Sequence, residues 1–245
     1  MFGAYIIGDE LLVGKREDKH LPFLISALKK RGLRLDWAQY IGDHPARLTA
    51  ALALSFKSDD VVFSFGGIGA TPDDHTRQCA AAALNLKLQV HPDAEREIRG
   101  RFGTETTPQR LRMGEFPEGS VIIPNPVNRI PGFSLKDHHF VPGFPQMAWP
   151  MVEWVLDTRY KARFNSELWG EASILVYEAG ESQLIPAMEA LEKEFPGLKV
   201  FSLPSMGQDG SRIHVELGVR GDPGAVSSGM ELLKNWVRQA GFPYK

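Results

Sequence analysis

Apolar and polar positions alternate between two periods along the first 155 or so residues. Ala4-Tyr5-Ile6-Ile7 is a short apolar run closed by Gly8. Leu21, Leu24, Ile25 and Leu28 follow at i, i+3, i+4 and i+7, the stripe of an amphipathic helix, and Gly32 ends it. A second apolar segment covers residues 33–41 and stops at Gly42-Asp43. Pro45 then opens another stripe, with Leu48, Ala51, Leu52 and Ser55 on one face. Val61-Val62-Phe63-Ser64-Phe65 is β-branched or aromatic without polar interruption, as in a strand buried on both faces. It runs into Gly66-Gly67, and a helix is expected over about 72–84. Strand alternating with helix predicts a mostly parallel sheet with right-handed crossovers.

Residues 105–150 differ in texture. Prolines and glycines separate short apolar pieces such as Val121-Ile122-Ile123, which predicts short strands and ordered loops. A helix is expected over 147–156. A second unit begins near Leu168. Ala172, Ile174 and Val176 alternate as in a half-buried strand, and Leu184, Met188, Leu191 and Phe195 carry a helical period. Residues 198–203 form another strand; Ile213, Val215, Leu217 and Val219 a third; Val226, Met230, Leu233 and Val237 a final helix. Met206-Gly207-Gln208-Asp209-Gly210 would turn the middle hairpin. The reading is a domain over 1–160 and a small α+β domain, ferredoxin-like or KH-like, over 168–245. So small a core is marginal alone, so it is expected to pack on the first domain or on another subunit, and its incomplete sheet favours a homodimer.

The chain has 245 residues, 43% of them hydrophobic and 24% charged, within the range of globular proteins. A net charge of −2 supplies no basic field for nucleic acid or an anionic membrane. One cysteine, Cys79, excludes a disulfide framework and a cysteine zinc site. No apolar run approaches the roughly 18 residues of a membrane-spanning helix. The start, MFGAYIIGDE, lacks a basic leader and a small-residue cleavage site, so a cytoplasmic protein is expected.

The chemistry concentrates in Phe65-Gly66-Gly67-Ile68-Gly69-Ala70-Thr71-Pro72-Asp73-Asp74-His75-Thr76. In parallel sheets, ligands sit beyond the carboxyl ends of the strands. Three glycines in four positions let backbone N–H groups approach a phosphate, with a helix amino terminus behind them. The same residues also spell a helix start: Thr71 as N-cap, Pro72 at N1, an acid at N3. Asp73 and Asp74 would repel a bare phosphate but suit a divalent cation shared with it, since Mg²⁺ takes one or two carboxylates plus phosphate oxygens. From a helix only one of the pair can face the site, and Asp74 is favoured. Gly8-Asp9-Glu10-Leu11-Leu12-Val13-Gly14 would place two more carboxylates at the same edge of the sheet. A turn followed by a solvated acidic pair is the alternative there.

Taken in order, Gly8-Asp9-Glu10-Leu11-Leu12-x-Gly14, Gly42-Asp43, the glycine-rich segment through Asp74-x-Thr76, Pro117-Glu118-Gly119, Asn125-Pro126, Pro131-Gly132-Phe133 and Pro142-Gly143-Phe144-Pro145 resemble the CinA-like molybdopterin-binding domain family. The resemblance covers about residues 3–155. It implies a three-layer α/β/α fold. It also implies a small-molecule pterin or nucleotide ligand, with a divalent cation (Mg, Mn or Co). The implied activity is binding of molybdopterin or hydrolysis of a nucleotide pyrophosphate such as ADP-ribose or FAD. Carried over, the ligand-binding positions are Gly66, Gly67, Gly69, Thr71, Thr76, Asn125, Pro142 and Gly143. The metal positions are Asp9, Glu10, Asp73 and Asp74, with Asp74 and Glu10 as the catalytic pair. No sign of the family's carboxyl-terminal amidase domain is expected in a chain of this length.

The chain departs from the family's pattern in four places: Ala70 for a proline, His20 for an asparagine, Asn128-Arg129-Ile130 for Gly-Thr-Ala before Pro131-Gly132, and, after Pro142-Gly143, Pro145-Gln146-Met147 without the glutamate of the usual Pro-x-Glu-Met. The seven histidines show no metal spacing on a common helix. Cys79 falls with Ala80 and Ala83 on an apolar helix face, as a small buried residue does. The second unit lacks the GXXG loop of an RNA-clamping KH domain.

Overall fold

The computed structural model describes residues 1–165, 170–207 and 212–245. The chain divides into two compact units, Met1–Phe164 and Asn165–Lys245.

In chain order the first unit contains β1 (Phe2–Ile7), α1 (Asp9–Leu12), α2 (His20–Lys29), β2 (Trp37–Ile41), α3 (Pro45–Ser55), β3 (Val61–Phe65) and α4 (Thr76–Ala83). Then come β4 (Leu88–Val90), α5 (Pro92–Phe102), α6 (Pro108–Leu111), β5 (Glu115–Pro117), β6 (Val121–Ile123), β7 (Gly132–Leu135), β8 (His138–Val141) and α7 (Pro145–Arg159). Among the described residues the main sheet runs β2-β1-β3-β8-β7-β6. The pairs β1–β2, β1–β3 and β3–β8 are parallel, and β7 and β6 add antiparallel edges.

Side-chain alternation explains the three layers. Phe2, Ala4 and Ile6 point to one face with Val61, Phe63 and Phe65, where α2 and α7 supply Leu24, Leu28, Val152 and Leu156. Tyr5, Ile7 and Val62 point to the other face, toward Leu48 and Leu52 of α3 and Cys79 and Ala80 of α4. A sheet buried on both sides needs apolar residues at consecutive positions, and β1 and β3 are buried throughout.

Three elements differ from expectation. The apolar segment 33–41 yields a strand only over Trp37–Ile41, where pairing with β1 begins; just before it the Asp36 carboxylate accepts from Phe2 N at 2.8 Å. The last helix of the unit is longer than expected, Pro145–Arg159. The helix expected over 72–84 starts only at Thr76. Residues 71–74 instead close a turn, in which Asp74 Oδ2 accepts from Thr71 N at 2.9 Å and from Thr71 Oγ1 at 2.5 Å. The N–H and hydroxyl of Thr76 are claimed by Gly67 O and Gly66 O, which fixes the helix start there.

The second unit contains β9 (Gly170–Tyr177), α8 (Glu181–Glu194), β10 (Lys199–Ser205), β11 (His214–Gly221) and α9 (Pro223–Gln239). Its antiparallel sheet runs β10-β11-β9, and Ile174, Val176, Val215, Leu217 and Val219 pack on Leu184, Leu191, Met230 and Leu233 of the two helices. Asp222 caps α9 by accepting from Gly224 N and Ala225 N. Leu168 and the Gln208-Asp209-Gly210 part of the expected turn lie outside the described residues. No helix among the described residues is long and apolar enough to cross a membrane.

Candidate functional site

The carboxyl ends of β1 and β3 open onto a cavity of about 720 Å³ within the first unit. Its walls combine the glycine-rich loop (66–71), Gly8 and Glu10, Lys15 and Arg16, Asp43, Asp73 and Asp74 with an apolar side that includes Met113, Ile130, Phe144 and Met147. A pocket with one polar end and one apolar end suits a ligand with a charged group and a ring.

The loop's backbone is organised from behind by α4. Gly66 O accepts from Thr76 Oγ1 at 3.0 Å, Gly67 O from Thr76 N at 3.0 Å, and Gly69 O from Arg77 Nη2 at 2.5 Å. In a trans peptide the carbonyl and the next N–H point in opposite directions, and no bond in the chain is cis. The N–H groups of Gly67, Ile68 and Ala70 are therefore turned away from α4, and none of them donates to the protein among the described residues. These three residues line the cavity, Ile68 buried, Gly67 half-buried and Ala70 exposed, and neighbouring N–H groups turned one way are the arrangement of an anion-binding nest.

Glycine is required here by the protein's own packing. Gly66 adopts φ +101°, and a Cβ on it would lie 2.5 Å from Ile7 O. Gly67 adopts φ +67°, and a Cβ would run into the Thr76 hydroxyl. At Gly69 a Cβ would meet the Asp74 carboxylate. Close approach by Ile7, Thr76 and Asp74 thus accounts for glycine at these three positions.

Carboxylates crowd one rim. Asp9 N donates to Asp43 Oδ2 at 2.9 Å, and Asp43 N donates to Asp9 Oδ1 at 3.2 Å, so β1 and β2 bring the two acids together. Burial, with the charges of Asp9, Glu10 and Asp73, holds the Asp43 carboxyl above its ordinary pKa. Hydrogen bonding from Thr71 holds Asp73 below its own. The Arg16 guanidinium stands 3.9 Å from Glu10. Among the described residues no group of three or more His, Cys, Asp or Glu converges as a metal cluster. The donor set is all hard oxygen, and it fits a divalent cation held jointly with a ligand's phosphate rather than a resident metal centre.

Several assigned residues play other parts. Thr76 is fully buried, and its hydroxyl serves Gly66 O, so it shapes the loop from behind. Asn125 is buried, with its amide spent on Ile130 O, Val127 N and Asn128 N; it holds the 125–131 loop. Asp9 faces Asp43 and is not among the lining residues. Gly66, Gly67, Gly69, Thr71, Asp73, Asp74, Glu10, Pro142 and Gly143 line the cavity, and so does Asn125. Sequence reasoning passed over Asp43 and Asn128 as site residues, although both stand in segments it quoted. Arg129, in the segment that departs from the family, turns away at φ +64° and pairs with Glu97 at 2.9 Å. His20 stacks on Phe65 with ring centroids 4.6 Å apart, and its Nε2 lies 3.1 Å from Gly143 O. Burial lowers its pKa, so the neutral ring donates to that carbonyl.

Comparison with known proteins places residues 3–162 in the range matched by the family described as "Probable molybdopterin binding domain". A CinA-like protein of Dictyoglomus thermophilum is 31% identical over 183 residues, 72% of this chain and 44% of that protein. A protein of Pyrobaculum arsenaticum is 29% identical over 205 residues, 81% of this chain and 77% of its own length. The chain thus spans less than half of the CinA-like relative. The crystal structure of the protein CinA, of unknown function, from Thermoplasma acidophilum superposes with a TM-score of 0.58 at 26% identity, covering 64% of this chain and 96% of that one.

Proposed function

Because the chain belongs to the CinA-like molybdopterin-binding domain family, we propose that the first unit binds a diphosphate-bearing nucleotide or pterin with a divalent cation and hydrolyses the pyrophosphate. The observation that carries the reading is the orientation of the loop: its carbonyls are taken by Thr76 and Arg77, which leaves the N–H groups of Gly67, Ile68 and Ala70 for phosphate oxygens. The apolar wall of Met113, Ile130, Phe144 and Met147 would receive a ring system.

In the hydrolytic reading the loop N–H groups hold and orient the diphosphate, preorganised donors that need no rearrangement as charge develops. Asp74 and Asp43 are the carboxylates that would hold the cation, which would supply charge neutralisation and a lower pKa for bound water. Glu10 orients the attacking water and takes its proton. Water adds to phosphorus, the bridging P–O bond breaks, and two monophosphates leave.

A second reading, a molybdopterin binder without turnover, draws support from the use of Asp74 Oδ2 by Thr71. One assay separates them: AMP release from ADP-ribose and FAD with Mg²⁺, Mn²⁺ and Co²⁺. The enzyme reading expects metal-dependent AMP that Asp74→Ala abolishes while the fold persists. No AMP with any of the three metals, alongside tight pterin binding, would establish the binder instead.

A further inference from the structure

Arg77 is the most deeply buried charged side chain beside the cavity, with 2% of its surface exposed. Its two Nη atoms serve three carbonyls. Nη2 donates to Gly69 O at 2.5 Å; Nη1 donates to Arg112 O and, at 3.3 Å, to Glu115 O. Its Nε is buried with no partner among the described residues, and the nearest carboxylate oxygen of Glu115 is 3.9 Å from Nη1. Burying a guanidinium with so little neutralisation is costly, and such a group persists where its geometry is needed. Arg112 and Glu115 flank Met113, which lines the apolar wall of the cavity. One side chain thereby ties the glycine-rich loop to the segment that carries Met113.

Resting on the proposed diphosphate site, we propose that Arg77 is a positioning residue: it fixes the Gly69–Ala70 peptide with its N–H toward the phosphate and locks the Met113 wall to the loop. A donor on the carbonyl of a peptide strengthens the N–H of the same unit, so the Ala70 amide becomes a better donor to an anion. The cation itself lies behind the loop in a region of low dielectric, where its attraction for a diphosphate is weakly screened. Guanidinium geometry serves three carbonyls at once; an ammonium keeps the charge but cannot span them.

The test uses the full chain and inorganic pyrophosphate with Mg²⁺ as the probe, comparing wild type, Arg77→Met and Arg77→Lys by calorimetry. Arg77→Met should weaken binding about tenfold or more, on the order of one lost charge-assisted hydrogen bond. Arg77→Lys should recover part of that loss, which a purely structural role does not predict. In ¹⁵N-labelled wild type, the Ala70 amide should move downfield on titration, a readout independent of whether Arg77→Met folds. Wild-type binding with an unmoved Ala70 amide, or folded variants that bind like wild type, would overturn the role of Arg77 alone. Failure of wild type to bind would overturn the diphosphate site, and the positioning role with it.

Discussion

Two hollows of similar size occur in this protein, one in each unit, and they differ in what faces them. The first unit's cavity, about 720 Å³, is lined by a loop whose carbonyls at Gly66, Gly67 and Gly69 are already spent and whose N–H groups at Gly67, Ile68 and Ala70 are not. The second unit's groove between α8 and α9, about 630 Å³, is lined by Glu194, Ser227, Ser228, Glu231, Asn235 and Gln239, all solvated, beside Phe195 and Trp236. No buried polar side chain aims into the groove among the described residues. Volume alone therefore says little; a binding site is marked by polar groups that the fold has left without partners and cannot release to water.

The contrast is broken most severely at Gly66. Gly66→Ala forces a Cβ toward Ile7 O at φ +101°, and about 3 kcal/mol of stability should be lost together with pyrophosphate binding. Urea unfolding and calorimetry read the two effects. Comparable in size is the effect of acid. Burial pushes His138 down to about 4, and His139, held between Ser134 Oγ at 2.8 Å and the Tyr160 hydroxyl at 2.7 Å, falls well below its ordinary value. The unfolded chain then binds more protons than the folded one as pH falls below about 6.5, so stability drops from there, and the share owed to His138 is lost by about pH 4. His138 alone accounts for about 3 kcal/mol over that window. Both rings lie in the first unit, so its unfolding transition should move with pH. A first-unit midpoint unchanged between pH 7 and 4.5 would count against buried neutral histidines.

Smaller effects sharpen the comparison. Asp74→Ala should reduce Mg²⁺-dependent pyrophosphate affinity about tenfold, because the rim loses a carboxylate and Thr71 loses its turn partner. Equal affinity with and without Mg²⁺ in wild type would remove the cation from the site. Asn235→Ala in the second groove should change neither pyrophosphate affinity nor the unfolding midpoint measurably, since its surroundings are solvated.

Much of the architecture was legible from periodicity. The run Val61–Phe65 reads as a doubly buried strand because only apolar residues fit between two helical layers, and β1 shows the same alternation between faces. The second unit's strand-helix-strand-strand-helix order followed from clean two-residue and 3.6-residue periods. The start of α4 was not legible. Thr71-Pro72-Asp73-Asp74 has the composition of a helix cap, and only Gly66 O and Gly67 O, which claim Thr76, displace the helix by about a turn. Thr76 and Asn125 belonged to the right motifs, yet composition does not reveal whether a hydroxyl or amide is spent on the chain itself.

By itself the sequence determined the layers, the order of elements and the place where chemistry gathers, because hydrophobic period and glycine content act over a few residues. The tertiary structure decided which donors remain free. Arg77 reaches carbonyls at positions 69, 112 and 115, and Asp43 meets Asp9 only because β2 lies beside β1. Hydrogen-bond ownership between distant segments depends on sheet order and crossover path, which no local pattern encodes.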